Sequence, residues 1–257
     1  MTSRLINNLA QKYQAEHYLE IGVCQGTTFL AVDMPSKTGV APLFRFDVSE
    51  FSRPGCHFIS LNSDDFFASL PRPDLPPVWD IVYIDGLHHF EQAYRDFENS
   101  LRFSHENSLI IMDDTVPCNP FSALRNHRFG LEVAKSLGLG KVLPNTWHGD
   151  VYKTLLAIHD FHPEFSYCTI MDIGNPKTIL WRAEQIGPGE RKAVFSSPDE
   201  IAALSYFDLL EKYAHLLMPV ELSAAMALVG MPLVPGDYQS DLAWKKLMYW
   251  PILSGKP

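Results

Sequence analysis

The sequence has no long apolar run and no cluster of basic residues. None of its hydrophobic segments reaches the roughly 18 residues that a membrane-spanning helix requires. The 21 Lys and Arg residues are outnumbered by 30 Asp and Glu, which gives a formal net charge of −9, and they form no stripe that would follow a phosphate backbone. The polar N-terminal segment lacks the apolar stretch of a signal peptide. We therefore expect a cytoplasmic protein that binds neither nucleic acid nor a membrane.

Cysteine is scarce as well. The four cysteines lie far apart and form no CxxC pair, which disfavours a zinc site or dithiol exchange. They are expected to be reduced and mostly buried thiols: Cys24, Cys56, Cys118 and Cys168.

What the chain does contain is an alternation of short apolar segments and helical patterns. With 257 residues, 46% of them hydrophobic, it can bury one large core and carry a small appendage. Helical spacing of apolar residues predicts a helix near residues 5–13 and another over 90–101. A strand-helix-strand succession is typical of a parallel α/β sheet. Buried strands are predicted at 17–21, 43–47, 57–61, 79–84 and 108–112.

The stretch after Asp114 predicts a lid followed by a hairpin. About 35 residues rich in Pro, Asn, Arg and His form a long connection for a compact domain, which suggests a functional lid over the edge of the sheet. A helix over 151–162 is predicted next. Strands at 165–171 and 178–182 then flank the turn signal Gly174-Asn175-Pro176, as in a hairpin that closes the sheet.

The C-terminal part of the sequence changes composition. We predict a main domain over residues 1–183 and a helical extension over 184–257, with helices at 220–229 and 241–250. The apolar and aromatic tail of this extension is expected to pack on the core or at the interface of a homodimer.

A glycine-containing segment, EIGVCQGTT, follows the first predicted strand. Gly22 and Gly26 permit positive φ angles and let the backbone approach a ligand, and a helix starting at this point would offer free amide groups. The spacing is GxxxG rather than GxGxxG, and Glu20 precedes the first glycine. This spacing disfavours the pyrophosphate site of dinucleotide-dependent dehydrogenases.

Two further acidic residues are candidates for binding a nucleoside. Asp47 ends the second predicted strand, where a carboxylate accepts both hydroxyls of a ribose, although an ordinary solvated aspartate is equally consistent with the pattern. The third predicted strand is followed by a polar cluster that includes Ser63 and Asp64. This cluster, residues 61–65, either faces an adenine edge, with Asp64 as the candidate residue, or caps the helix that follows.

The strongest feature is a pair of runs, DIVYIDGLHH and IIMDD, that deliver carboxylates to the ends of two neighbouring strands. In open α/β sheets, ligands bind at this edge. Asp85, Asp113 and Asp114 would repel one another without a cation, and oxygen ligands suit Mg²⁺ or another hard divalent ion. The alternative is that these aspartates cap helices or bind a cofactor's ammonium group, with no metal.

His88 is the candidate general base. It lies three residues beyond Asp85 at a predicted helix start, where an imidazole can accept a proton from a substrate hydroxyl. A polar residue at the rim of the site is the alternative, and the adjacent His89 is a second candidate base. Arg125, His127 and Arg128, in the predicted lid, either bind a polar or anionic substrate or are solvated loop charges.

These motifs together resemble the class I S-adenosylmethionine-dependent methyltransferases of the small-molecule O-methyltransferase type. The resemblance rests on YLEIGVCQGTTF, SDDFF, IDGLHHFEQAYRDFENSLR, IIMDDT and WHGDVYK, and it extends from about Tyr18 to Arg182. It implies an α/β, Rossmann-like fold: a seven-stranded, mostly parallel sheet with a reversed last strand and helices on both faces. A small C-terminal helical appendage would follow.

The resemblance also implies a cofactor, a metal and a base. S-adenosylmethionine would be held by Glu20, Gly22, Gly26, Thr27, Asp47, Ser63, Asp64 and Asp85. In the similar magnesium-dependent sugar and macrolide O-methyltransferases, the matching positions for the metal are Asp85, Asp113 and Asp114, and the base is His88. The acceptor would be a hydroxyl of a small molecule.

Two departures from the family pattern concern Cys24, which replaces a common central glycine, and the segment 104–107, which lacks the usual Pro-Gly-Gly. The alternatives to this function are a metal-free N- or O-methyltransferase and a non-catalytic domain that keeps the fold for association. A dinucleotide or nucleotide-sugar oxidoreductase ranks third because of the glycine spacing.

Overall fold

The computed structural model describes residues 1–140, 146–183 and 191–233. The chain divides into two compact units, the first made of residues 1–87 and 92–112 and the second of 88–91 and 113–257. The polypeptide therefore passes from one unit to the other three times, at 87–88, 91–92 and 112–113. The domain boundary at residue 183 stays a prediction. Within the described ranges, no helix has both the length and the apolar character needed to cross a membrane.

The first unit contains five parallel strands in the order β3-β2-β1-β4-β5. Their inner residues are almost continuously buried, as expected for a parallel sheet. The strands are β1 His17–Ile21, β2 Ser36–Val40, β3 Cys56–Ile59, β4 Trp79–Ile84 and β5 Ser104–Met112. The helices that begin or lie in this unit are α1 Thr2–Tyr13, α2 Ser63–Ala68 and α3 Phe90–Leu101, with short 3-10 turns at Phe29–Ala31 and Val48–Phe51.

The second strand is not where the sequence analysis predicted it. The pairing partner of β1 is Ser36–Val40, a segment with Lys, Thr and Gly, rather than the aromatic residues 43–47. Lys37 is tolerated in a buried strand because its Nζ donates to the carbonyl oxygens of Phe29 and Val32 at 2.9 and 2.8 Å. Phe44 and Phe46 instead pack edge-on against Phe58 in an aromatic cluster. Apolar content alone therefore predicted the wrong segment for the second strand.

The second unit contains three strands in the order β7-β6-β8, and five helices among its described residues. β6 and β7 form the predicted antiparallel hairpin, while the two-residue β8 lies parallel to β6. The strands are β6 Phe165–Ile170, β7 Lys177–Arg182 and β8 Pro219–Val220. The helices are α4 His127–Ser136, α5 Tyr152–Phe161, α6 Pro198–Ala202, α7 Tyr206–Asp208 and α8 Leu222–Leu228.

The predicted α/β class with mostly parallel strands is confirmed, and β7 is the reversed strand. The described residues form eight strands rather than seven, because the two-residue β8 precedes α8 at the start of the predicted helix 220–229. The predicted lid contains α4, and the helix predicted over 241–250 lies outside the described residues.

Candidate active site

The turn after β1 requires glycine at its first position. Gly22 has a φ of 98°, and a Cβ built on it would lie 1.8 Å from the carbonyl oxygen of Asp85. The Asp85 amide donates to the carbonyl oxygen of Ile21 at 2.9 Å, so the backbones that follow β1 and β4 meet at this point. Gly26, with a φ of 76°, closes the turn by donating to Val23 O at 2.7 Å. No other residue fits at Gly22 without moving one of these backbones.

Cys24 adopts the left-handed conformation that glycine favours, with a φ of 45°. Its side chain is exposed. We expect Cys24→Gly to keep cofactor affinity and to change the free energy of unfolding by less than about 1 kcal/mol, because relief of the left-handed strain offsets the added freedom of the unfolded chain. Chemical denaturation and calorimetric titration measure both quantities. A large loss of affinity would show that the thiol contributes directly to binding.

Glu20 is buried in β1 with only 2% of its surface exposed. The hydroxyl of Tyr18, two residues earlier on the same strand face, donates to Glu20 Oε2 at 2.6 Å. Burial and the neighbouring Glu20 carboxylate raise the pKa of Tyr18 well above its usual value, so this hydroxyl keeps its proton. The strand thus presents a buried carboxylate, held by the Tyr18 hydroxyl, just before the glycine turn.

Asp47 lies beyond the end of β2 rather than at its last residue, contrary to the prediction. Its carboxylate accepts hydrogen bonds from the amide and hydroxyl of Ser49 at 2.9 and 2.7 Å, which lower its pKa. The chain nevertheless returns to the glycine turn here, because Arg45 N donates to Cys24 O at 2.9 Å. Asp47 and Thr27 are both exposed.

Ser63 and Asp64 begin α2, but neither caps it. The cap is Asn62, whose side chain accepts from Asp65 N at 2.8 Å. Gln92 of α3 reaches both predicted residues, since its Nε2 lies 3.1 Å from Ser63 Oγ and 3.1 Å from Asp64 Oδ1. The cap predicted as one role for this polar cluster is thus supplied by Asn62, while the Asp64 carboxylate belongs to a side-chain network.

Asp85 follows β4 and is half-buried. The Tyr83 hydroxyl donates to Asp85 Oδ2 at 3.4 Å. Ile84 and Met112 are register partners in β4 and β5, so Asp85 and Asp113 leave adjacent strands from the same level of the sheet. All eight residues predicted to bind the cofactor lie in the first unit.

The acidic pair after β5 is held by the β6–β7 hairpin of the second unit. Asp113 Oδ1 accepts from Asn175 Nδ2 at 2.8 Å and from Lys177 Nζ at 3.1 Å. Asp114 Oδ1 accepts from Asn175 Nδ2 at 2.7 Å. The buried Lys177 ammonium thus supplies a positive charge beside two carboxylates that the sequence analysis expected a metal to neutralise.

His88 is fixed through both ring nitrogens. Nδ1 lies 2.9 Å from Trp147 O, and Nε2 lies 3.1 Å from Asp114 Oδ2. The imidazole also stacks on the Trp147 ring at a centroid distance of 4.8 Å. Because a carbonyl oxygen only accepts, Nδ1 carries a hydrogen, and Nε2 is the nitrogen that exchanges a proton. His89, the second candidate, contacts the Trp147 ring edge-on, and its Nε2 lies 3.4 Å from Arg125 O.

Asp114 is a buried carboxyl group on a residue with a left-handed backbone conformation. It is 6% exposed and adopts a φ of 59°. Burial and the Asp113 carboxylate raise the pKa of Asp114, whereas His88, His148 and the Asn175 amide oppose this shift. The His88 Nε2 atom thus lies 3.1 Å from a buried carboxyl group whose pKa is raised.

The segment WHGD, residues 147–150, contacts both the backbone and the ring of His88. The sequence analysis used this segment only as part of the family resemblance and predicted no role for it. Gly149 has a φ of 60°, and a Cβ there would lie 1.7 Å from His88 O. Asp150 Oδ1 accepts from Phe90 N at 2.8 Å and so caps the start of α3. The sequence predicted Asn175 only as a turn residue and predicted no role for Lys177.

The basic residues of the predicted lid are mostly paired within the protein. Arg125 makes two hydrogen bonds to Glu91, at 2.7 and 2.8 Å, and Arg128 pairs with Glu132 at 3.0 Å on an exposed face. These contacts favour structural and solvated roles for both arginines. His127 differs, because it stacks on Trp147 at 5.6 Å and lines a pocket of about 120 Å³ bordered by α4.

Comparison with known proteins gives one family match. Residues 19–115 match the family described as "Methyltransferase domain". No curated protein matches the sequence. Among solved structures, the chain is similar to the O-methyltransferase TomG from Streptomyces achromogenes in complex with SAM, with 16% identity, coverage of 70% of this chain and 78% of that chain, and a TM-score of 0.49.

Two further structures show similarity of the same size. One is an O-methyltransferase from Bacillus cereus in complex with SAH, with 15% identity, coverage of 70% and 80%, and a TM-score of 0.46. The other is the SAH-bound methyltransferase PaMTH1 from Podospora anserina, with 12% identity, coverage of 71% and 78%, and a TM-score of 0.49. Similarities this weak carry no argument about what this chain binds or does.

The family match covers the part of the chain that builds the first unit's site. It begins in β1, includes the glycine turn and the residues after β4, and ends at the acidic pair after β5. The strand order β3-β2-β1-β4-β5 and the buried acidic residue before the glycine turn agree with the resemblance seen in the motifs. Over residues 19–115 the chain is therefore similar to a methyltransferase domain, in agreement with the resemblance that the motifs predicted.

Proposed function

We propose that this protein transfers the methyl group of S-adenosylmethionine to a hydroxyl oxygen of a small molecule of the sugar or natural-product type. The observation that carries the proposal is the pairing of His88 Nε2 with Asp114 Oδ2 at 3.1 Å. As the acceptor oxygen bonds to the methyl carbon, the carbon–sulfur bond breaks and the neutral thioether leaves. The hydroxyl proton passes to His88. Alignment of the two reacting atoms supplies much of the rate.

The first unit would hold the cofactor around the glycine turn. Glu20 offers a buried carboxylate, and Gly22 and Gly26 let the backbone approach the ligand closely. Asp47 would accept the ribose hydroxyls, and Asp64 would meet the base. Thr27, Ser63 and Asp85 complete the proposed set.

His88 is suited to act as a base because its tautomer is fixed. The Nδ1 hydrogen is directed at Trp147 O, which makes Nε2 the site of proton uptake. Asp114 Oδ2, 3.1 Å from this same nitrogen, would stabilise the positive charge that the imidazole gains. The stacking on Trp147 holds the ring in place.

A divalent cation, with Mg²⁺ as the first candidate, would be held by Asp85, Asp113 and Asp114. When bound, such an ion would lower the pKa of the acceptor hydroxyl. The donor set is compatible with this role, since carboxylate oxygens are the ligands that Mg²⁺ prefers.

The Lys177 ammonium, 3.1 Å from Asp113, favours a second candidate function. With this charge in place, the carboxylate pair does not by itself require a metal. A metal-free methyltransferase acting on nitrogen or on an activated oxygen is the alternative.

A homodimer built on the C-terminal extension and a cytoplasmic location also remain proposals.

Dependence on a metal separates the two candidates. After an acceptor has been found by screening, we expect removal of divalent ions with a chelator to lower the rate of methyl transfer by at least about 100-fold, and Mg²⁺ to restore it. Asp114→Asn should abolish the restoration. An equal rate with and without the chelator would overturn the metal proposal and favour the metal-free candidate.

The cofactor claim is tested first, because it needs no acceptor. S-adenosylhomocysteine is titrated by calorimetry into chelator-treated protein, with Glu20→Gln and Asp47→Asn as variants. Micromolar binding that weakens in either variant would support the proposal. The absence of heat at several temperatures, from protein shown to be folded by circular dichroism, would sink the cofactor assignment and favour a non-catalytic role for the domain.

A further inference from the structure

The second unit contains a pocket between α4 and the segment 119–122. Its volume is about 120 Å³, and one face of the helix contributes Gly130, Leu131 and Ala134 to the wall. Helix and segment approach closely at Gly130, where an added Cβ would lie 2.5 Å from Phe121 O. One turn later, the small side chain of Ala134 leaves room between them.

The walls present a mainly apolar surface, because the buried polar side chains of the segment are bonded within the segment itself. Ser122 Oγ donates to Asn119 O at 2.7 Å. Asn119 Oδ1 accepts from the amides of Phe121 and Ser122 at 3.0 and 2.9 Å, and Asn119 Nδ2 donates to Cys118 Sγ at 3.2 Å. A ligand in the pocket would therefore meet mostly carbon atoms.

His127 is the exception among the polar residues of the wall. It lines the pocket at the start of α4, and its Nε2 is buried without a hydrogen-bond partner in the part of the chain that the structure describes. Its ring stacks on Trp147 with a centroid distance of 5.6 Å and an interplanar angle of 6°. A buried nitrogen without a partner is costly and calls for an explanation. A hydroxyl group suits it in either tautomer, because a hydroxyl both donates and accepts.

Trp147 connects the pocket to the candidate base, since its indole stacks on both His127 and His88. The volume of about 120 Å³ is close to that of an engineered cavity of roughly 150 Å³ that binds benzene. It is well below the roughly 300 Å³ or more of a site that encloses a whole ligand. The pocket therefore suits one ring of a larger molecule.

We propose that this pocket is a recognition subsite for the methyl acceptor: it holds an unreactive, mainly apolar ring of about six atoms, whose hydroxyl group bonds to His127 Nε2. The inference rests on the proposed function, because it takes the occupant to be part of the acceptor. Within that function it selects the natural-product type over an unmodified sugar. The several hydroxyl groups of a sugar would find too few partners in these walls.

Phenol and toluene test the pocket without a cofactor or a known acceptor, because they are nearly equal in size and differ in the hydroxyl group. Isotope-labelled alanine methyl groups report the location by NMR, since the Ala134 methyl group lines the pocket and its resonance is identified by its absence in Ala134→Leu. We expect phenol to shift this resonance and to bind more tightly than toluene, although toluene is the more apolar probe. His127→Phe keeps an aromatic ring beside Trp147 but should lower the ratio of phenol affinity to toluene affinity at least about tenfold.

Matched variants of α4 test whether the probes bind in this pocket, with affinities measured by saturation-transfer NMR of the probes. Ala134→Leu fills the pocket and should abolish binding of both probes. Ser136→Leu adds the same side chain on the opposite, exposed face of the helix and should leave binding unchanged. Should Ala134→Leu not fold, Leu131→Phe narrows the pocket from the same helix face and is expected to weaken both probes.

Four results would overturn the inference. The first is an unshifted Ala134 resonance with both probes, which would indicate a pocket that holds only water. The second is an unchanged affinity ratio in His127→Phe. The third is wild-type affinity for phenol in Ala134→Leu or, if that variant does not fold, in Leu131→Phe. The fourth is binding of methyl glucoside, a polar ring, as tightly as phenol.

The acceptor role is tested separately, once an acceptor has been found by screening. Ala134→Leu should raise the KM for that acceptor at least about tenfold and leave the affinity for S-adenosylhomocysteine unchanged, because the pocket contributes binding rather than chemistry. An unchanged KM would overturn the acceptor role. If the wild type does not bind S-adenosylhomocysteine, the proposed function fails and the acceptor role fails with it. If the wild type binds S-adenosylhomocysteine but neither probe, only this inference fails.

Discussion

Replacement of His88 with alanine is expected to lower the rate of methyl transfer by about 10²- to 10⁴-fold, the usual contribution of a general base. Affinity for S-adenosylhomocysteine should change little, because the proposed cofactor residues belong to the first unit. The rate is measured by the formation of labelled product, and the affinity by calorimetry.

His89→Ala is the informative comparison. His89 lies beside His88 in sequence but makes only an edge-on contact with Trp147 and a 3.4 Å contact with Arg125 O. We expect a loss of less than about fivefold, within the range of an indirect effect. If the two variants lose activity equally, the base has been assigned to the wrong residue. A parallel loss of cofactor affinity in His88→Ala would instead indicate a structural role.

The second large effect concerns Gly22. We expect Gly22→Ala to lower the free energy of unfolding by about 3 kcal/mol or more and to abolish cofactor binding. The added Cβ would lie 1.8 Å from Asp85 O, so the end of β1 or of β4 must move, and the φ of 98° is strained for alanine in any case.

Gly138→Ala separates the cost of the Cβ clash from the cost of the positive φ angle. Gly138 has a φ of 75°, nearly the same as the 76° of Gly26 in the glycine turn, but a Cβ there would meet nothing within 4 Å. Its cost is therefore conformational strain alone, about 1 to 2 kcal/mol. Urea denaturation of both variants measures the difference, which is the cost of the backbone clash. Equal losses would contradict the close approach of the two strand ends.

The best sequence predictions were those that depend on local periodicity. β4 and α3 were predicted with the bounds they have, because β4 is a short continuous apolar run and the apolar residues of α3 repeat with the period of a helix. β2 was missed because its burial depends on non-local contacts. Lys37 is accepted there only through two carbonyl oxygens, and Gly39 only through the packing of Val23 and Phe29.

By itself, the sequence determined which chemical groups follow the strands: glycines after β1, and carboxylates after β4 and β5. It could do so because strand ends are local features and the chain order fixes what comes next. Only the tertiary structure decided how those groups are used. Lys177 reaches Asp113 across 64 positions, and Trp147 fixes the tautomer of His88 across 59. Hydrogen bonds between distant segments leave no periodic signal, so the proton on His88 and the pocket beside α4 become visible only when the chain is folded.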